Sequence, residues 1–162
     1  AAQIKVPNIH VMAGTASGSD AHKIFVSNLR YATDQASRHG LTILIEPLNR
    51  YAAPGYFLTT TGQACDIIEE VAADNIKLMF DCYHVQLMEG DLSNKLQQLM
   101  PVIGHIQFAS VPDRGAPDHG EVDYAEVFSG IAALGWSVPL GAEDKPGGPT
   151  EASLVWLAGY RD

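Results

Sequence analysis

The chain has 162 residues, of which 46% are hydrophobic, an ordinary fraction for a globular protein and enough for one sizeable core. Lys+Arg 10 against Asp+Glu 19 gives a formal charge of −9, the wrong sign for a broad nucleic-acid footprint. No apolar run is long enough to span a bilayer, and no basic segment with an apolar stretch behind it opens the chain, so neither a membrane span nor a signal peptide is expected.

Within IKVPNIHVMAG, residues 8–12 predict a first strand. A Gly/Ser/Thr loop covers 14–20. Ser19 or Asp20 then caps a helix running to about residue 39, with Ile24, Phe25, Leu29, Tyr31 and Ala32 at near-helical spacing. Gly40 ends it as the residue just past the helix. LTILIE, residues 41–46, reads as the second strand. The loop 47–60 is long, and loops of that size in compact domains are more often functional than not. Thr60 or Thr61 opens a helix through Ala64, Ile67, Ile68 and Val71, and Asp74-Asn75 turns the chain into the strand IKLMFD. That strand is apolar except for Lys77 and its last residue, the pattern of a strand buried on both faces. His84 falls in the loop beyond it. Asp91 or Ser93 caps a helix that Pro101 stops, a strand covers 104–108, and a second long loop covers 110–122. A helix over 124–134 ends at Gly135, a last strand covers 138–143, and a final helix covers 150–160.

Five strand–helix units in strict alternation, with no hairpin signal, predict a parallel sheet with right-handed crossovers. The long loops follow strands and the helix-to-strand turns are short, which puts the functional loops on one face, as in a (β/α)₈ TIM barrel. Each of four strand ends carries an oxygen donor: Glu46, Asp81, Gln107 and Glu143. Acids gathered at one end of a sheet repel, and a divalent cation removes that cost. An all-oxygen set selects a hard ion, Mg²⁺ or Mn²⁺, over Zn²⁺. A single strand-end acid reads equally well as a helix cap or a salt-bridge partner. Four on successive strands favour the metal.

His84, three residues past Asp81, is expected to bind substrate or to orient a ligand. His10 and His105 lie within strands and read as satisfied structural histidines. His22 and His39 read as helix-surface residues, and His119 as a solvated loop residue. Arg114 is the best-placed cation for a substrate carboxylate and Lys145 the second, with a surface ion pair as the alternative for either. Cys65 and Cys82 form no CxxC motif and read as two buried free thiols, the usage of a cytoplasmic protein.

The ordered set IHVMAG, ILIEPLN, FDCYH, HIQFASVPDR, GEVDY and GAEDKPGG resembles the hydroxypyruvate isomerase family of xylose isomerase-like TIM barrels. The resemblance runs over nearly the whole chain. It implies that Glu46, Asp81, Gln107 and Glu143 ligate the metal and that Glu46 and Glu143 are the acid/base pair. Gln at position 107, where the ketose 3-epimerase branch carries His, favours the hydroxypyruvate-type branch. The implied activity is isomerisation of a small sugar acid, hydroxypyruvate to tartronate semialdehyde, by proton transfer through an enediolate. A ketose 3-epimerase or a 2-oxotetronate isomerase with the same site is the alternative. A metal-dependent endonuclease of the same superfamily would need a His-rich zinc cluster and a basic groove. A non-catalytic fragment is a further alternative.

A full barrel has eight strands in about 250 residues. The expectation for residues 1–162 is one domain, the C-terminal five-unit part of such a barrel, with the first three units absent. Its outer strands would be open edges. The predicted remedy is a homo-oligomer or completion by N-terminal strands. The expected partner is a small sugar acid, with no nucleic acid and no membrane.

Overall fold

The computed structural model describes residues 1–160, so the last two residues of the expected 1–162 domain lie outside the described residues. Five parallel strands form one sheet in the order β1-β2-β3-β4-β5. They are β1 (Asn8–His10), β2 (Thr42–Ile45), β3 (Ile76–Asp81), β4 (Ile103–Phe108) and β5 (Gly141–Ala142). Sequential neighbours pair throughout, in register Asn8↔Thr42, Ile43↔Ile76, Asp81↔Gln107 and Gln107↔Gly141. Helices α1 (Ser19–Ser37), α2 (Thr61–Val71), α3 (Cys82–Met88), α4 (Leu92–Leu99), α5 (Tyr124–Ala133) and α6 (Thr150–Ser153) fill the crossovers and the C-terminal segment. The result is a curled partial TIM barrel of the predicted class.

The core lies between the sheet and its helices. Leu29 of α1, Ile67 of α2, Ile45 of β2, Leu78 and Phe80 of β3 and Ile106 of β4 are fully buried in it. Each such side chain contributes about 1.5–3 kcal/mol relative to exposure, so this layer fixes where the strand ends stand. Thr60 caps α2 by accepting the Gln63 N–H at 3.2 Å, and Asp123 caps α5 by accepting from Ala125 and Glu126. Gly40 takes a left-handed φ of 65° just past α1, a conformation that a side chain would strain.

Several expectations are corrected. The last strand is two residues, not six: Pro139 removes a ladder donor, and Val138 is exposed at the sheet's end. His84 lies in α3, not in a loop, because Asp81 caps a helix that starts directly after β3. The N-cap of α1 is Gly18, with no side-chain cap from Ser19 or Asp20. Ile24 and Tyr31 are exposed, while Val26, Thr33 and Ala36 join Phe25 and Leu29 on the buried face. Cys82 is buried but Cys65 only partly, and both are free. The final helix splits into α6 and a 3₁₀ stretch, Val155–Tyr160. Among the described residues no helix is long and apolar enough to cross a membrane.

Candidate functional site

The carboxyl ends of the strands converge. Glu46 stands one residue beyond β2, Asp81 closes β3, and Gln107 lies opposite Asp81 in the β3–β4 register. Glu143 follows β5 directly, and its N–H donates to the Phe108 carbonyl at 3.0 Å. Among the described residues, Glu46, Asp81, His84 and Glu143 each offer a ligand atom, and these atoms lie within 4.8 Å of one another.

Asp81 divides its two oxygens between two tasks. Oδ1 accepts the Tyr83 N–H at 2.8 Å, which caps α3. Oδ2 is buried with no hydrogen-bond partner among the described residues. The cap reading and the ligand reading of this carboxylate therefore apply to different atoms. Glu46 is only 4% exposed, and its Oε1 is likewise buried and unpartnered. Burial first, then the nearby Asp81 and Glu143 carboxylates, push the Glu46 pKa up to about 8, against the pull of Arg114. Burial raises Asp81 to about 7, opposed by the hydrogen bond from Tyr83.

His84 is 2% exposed. Its Nδ1 accepts the Asn49 backbone N–H at 2.9 Å and meets Asn49 Nδ2 at 2.8 Å. Its Nε2 lies 3.8 Å from Asp81 Oδ2 and 4.0 Å from Glu46 Oε1. Burial, helped by the Arg114 charge, lowers the His84 pKa to about 4. Arg114 Nη2 donates to Glu143 Oε2 at 2.7 Å, and its guanidinium carbon lies 5.3 Å from the centre of the Tyr83 ring. The Arg114 backbone is left-handed, with φ 61°, a strained setting for a side chain of that size. Lys145 is exposed and does not line the cavity. Its backbone N–H donates to the Arg114 carbonyl at 2.7 Å and so ties the two loops together.

A cavity of about 270 Å³ is lined by His10, Met12, Glu46, His84, Arg114 and Glu143, among others. A more open hollow of about 660 Å³ shares His10, runs along the inner face past Leu44, Met79 and His105, and reaches Gln107. It is the larger of the two, but Glu46 and Glu143 line the smaller one.

Two residues of this constellation escape the sequence reading. His10 is no satisfied structural histidine: its Nε2 is buried without a hydrogen-bond partner among the described residues and lies 3.4 Å from Glu46 Oε2. The β1–β2 register explains this. His10 pairs with Leu44, and Leu44 shares a face with Glu46 two residues on. Asn49 is fully buried and orients His84, and its only sequence signal is its place three residues past Glu46 in EPLN. His105 is half-buried on the inner face, where burial lowers its pKa. His119 stays in an exposed loop, 2.8 Å from both Asp113 Oδ2 and Asp118 Oδ1.

The donor set suits a hard divalent cation. Glu46 Oε1, Asp81 Oδ2 and Gln107 Oε1 are three buried acceptors with no donor among the described residues. An orphaned buried acceptor is costly, and the two carboxylates repel as well. A cation relieves both costs at once, and oxygen donors suit Mg²⁺ or Mn²⁺.

A family model described as "Xylose isomerase-like TIM barrel" matches residues 1–160. A 2-oxo-tetronate isomerase of Cupriavidus necator is 42% identical over 156 residues, covering 94% of this chain and 60% of that protein. A hydroxypyruvate isomerase of Escherichia coli is 41% identical over 145 residues, covering 90% of this chain and 56% of that protein. The crystal structure titled "AP endonuclease, family 2" from Brucella melitensis superposes with a TM-score of 0.91 at 39% identity, covering 96% of this chain and 62% of that one. The chain thus spans less than two thirds of the length of each of these relatives.

Proposed function

We propose that this chain, which belongs to the xylose isomerase-like TIM barrel family, carries the active-site half of a metal-dependent sugar-acid isomerase. The reaction is a proton transfer between adjacent carbons of a small 2-oxo acid, hydroxypyruvate to tartronate semialdehyde or its four-carbon counterpart. The names of the relatives from Escherichia coli and Cupriavidus necator support both substrates. The single observation that carries the reading is the gathering near Glu143 of buried oxygens from three strand ends that have no donor among the described residues.

Glu46, Asp81, Gln107 and Glu143 are the residues that would hold the cation. When bound, such an ion lowers the energy of negative charge developing on neighbouring substrate oxygens. The remaining work falls to the chain. Glu46 and Glu143 take and return the carbon-bound proton from two sides of the cavity, a role for which a positioned carboxylate is suited. Arg114, free to exchange Glu143 for a substrate carboxylate, anchors the acid end of the substrate. His84 faces a substrate oxygen from the buried side, and Lys145 adds positive charge at the rim. The apolar wall of Met12, Leu48, Ala52 and Ala53 limits water in the cavity.

The test is chelation followed by readdition. Exhaustive removal of divalent ions abolishes turnover of hydroxypyruvate, and Mn²⁺ or Mg²⁺ restores it better than Zn²⁺. Full activity in the chelated protein removes the metal role.

A further inference from the structure

We propose that Asn49 is a positioning residue that locks His84 as the Nε2–H tautomer, so that His84 donates a hydrogen bond into the cavity and is not a metal ligand. This rests on the isomerase reading of the cavity, but the tautomer itself follows from atoms alone.

A backbone N–H can only donate. The Asn49 N–H points at His84 Nδ1 at 2.9 Å, so Nδ1 must present its lone pair. The Asn49 side chain agrees. Its Oδ1 accepts the backbone N–H groups of Tyr51, at 3.0 Å, and Ala52, at 2.8 Å. That fixes which end of the amide is oxygen and leaves Nδ2, a donor, 2.8 Å from the same Nδ1. Two donors converge on one ring nitrogen, and Asn49 is fully buried, so water does not compete for the position. A ring held at Nδ1 as an acceptor carries its proton on Nε2.

The consequence lies on the other side of the ring. Nε2 faces Asp81 Oδ2 at 3.8 Å and Glu46 Oε1 at 4.0 Å, too far for direct hydrogen bonds. An N–H at that place serves an oxygen seated between the ring and the carboxylates. It has no lone pair for a cation. Although His84 lies within ligand distance of the acids, its tautomer removes it from the coordinating set, which leaves Glu46, Asp81 and Glu143 of that cluster as donors. A neutral donor that is already oriented costs no reorganisation when negative charge grows on a substrate oxygen.

The experiment is long-range ¹H–¹⁵N NMR of the histidine rings in the full chain, before and after Mg²⁺ is added. His84 is expected to show a protonated Nε2 and a bare Nδ1 in both spectra. A protonated Nδ1, or loss of the Nε2 proton on adding Mg²⁺, overturns the proposal. Asn49→Asp keeps the oxygen that binds Tyr51 and Ala52 but turns a carboxylate oxygen toward Nδ1. The residue 49 N–H still enforces Nε2–H, so that oxygen meets the Nδ1 lone pair and drives the ring from its place; kcat is expected to fall roughly 10- to 100-fold, the usual cost of losing a group that orients a site residue, with KM less affected. Unchanged kcat in a folded Asn49→Asp protein overturns the positioning role. Should that variant fail to fold, Asn49→Ala replaces it: the residue 49 N–H still enforces Nε2–H while the ring is held less firmly, so kcat falls with the tautomer unchanged. Wild-type kcat in Asn49→Ala then overturns the role. Failure of the isomerase reading would show separately, as no turnover by the wild type, while the tautomer is still read from the resonances.

Discussion

The Arg114 guanidinium donates to Glu143 Oε2 at 2.7 Å, so the one arginine lining the cavity among the described residues is already committed to a carboxylate that must act as a base. A substrate carboxylate can take over that guanidinium and release Glu143. Arg114→Gln is expected to lower kcat/KM for a sugar acid roughly 10- to 100-fold, as for loss of a charge-assisted hydrogen bond, mainly through KM. Arg114→Lys recovers only part of this, because an ammonium does not reproduce the two-pronged contact. Steady-state kinetics of the three proteins decide it. Equal KM values would assign Arg114 to the ion pair alone.

The parts of the fold carried by contiguous signals were legible in the sequence. β3 is a run apolar but for Lys77 and ended by Asp81, and it is found at its predicted bounds. The alternation of strands and helices gave the parallel order. Features that depend on contacts between segments were not legible. His10 enters the constellation only through the β1–β2 register, which no local pattern announces. The seven-residue α3 is too short to display a helical period, so His84 read as a loop residue. β5 shrinks because Pro139 breaks its ladder, a tertiary cost that its apolar composition hides. The candidate ligands were readable as oxygen donors at strand ends. The orientation of His84 by Asn49 was not, since it depends on a loop folding back over the sheet.

Stability of the metal-free protein should fall as pH rises from 6.5 to 8. Folding raises the Glu46 pKa to about 8 and that of Asp81 to about 7, from their ordinary values of 4.5 and 3.8. In that window the folded state holds protons that the unfolded state has lost, so each rise in pH favours unfolding. Burial lowers His84 to about 4 and also lowers His10, which acts in the opposite direction, but only below the ordinary histidine value of 6.5. His119, raised by its hydrogen bonds to Asp113 and Asp118, adds to the fall but stands outside the cavity. Thermal melts in chelator should therefore show Tm dropping across the window, and Mg²⁺ should remove most of the slope. A flat Tm in chelator would mean that burial does not hold protons on the two carboxylates in this window.

Gly104 marks where the inner face of the sheet is tightest. A Cβ there would lie 2.6 Å from Lys77 Cβ and 2.7 Å from Leu44 Cδ2. Gly104→Ala is expected to destabilise the fold by about 1–3 kcal/mol, the usual cost of overpacking. Urea unfolding measures it, and a stability equal to wild type would show that β3 and β4 separate easily.

Glu143→Gln tests the proton-transfer assignment itself. The side chain of Glu143 is about half exposed, at 48%, so the substitution disturbs little packing. Glutamine keeps the shape and one oxygen for a cation, and that oxygen can still accept from Arg114. What it loses is the basic carboxylate. Turnover should fall by roughly two orders of magnitude or more, the contribution expected of a positioned general base. Tm and Mn²⁺ binding should stay near wild type, which separates loss of the base from loss of the site. The sharper measurement is exchange of the substrate's carbon-bound hydrogen with deuterated solvent. If Glu143 removes that hydrogen, exchange stops along with turnover. If it only returns the proton on the other side, exchange continues in Glu143→Gln while product formation stops, and Glu46 is the base. Wild-type turnover in this variant would leave Glu143 with no part in the proton transfer.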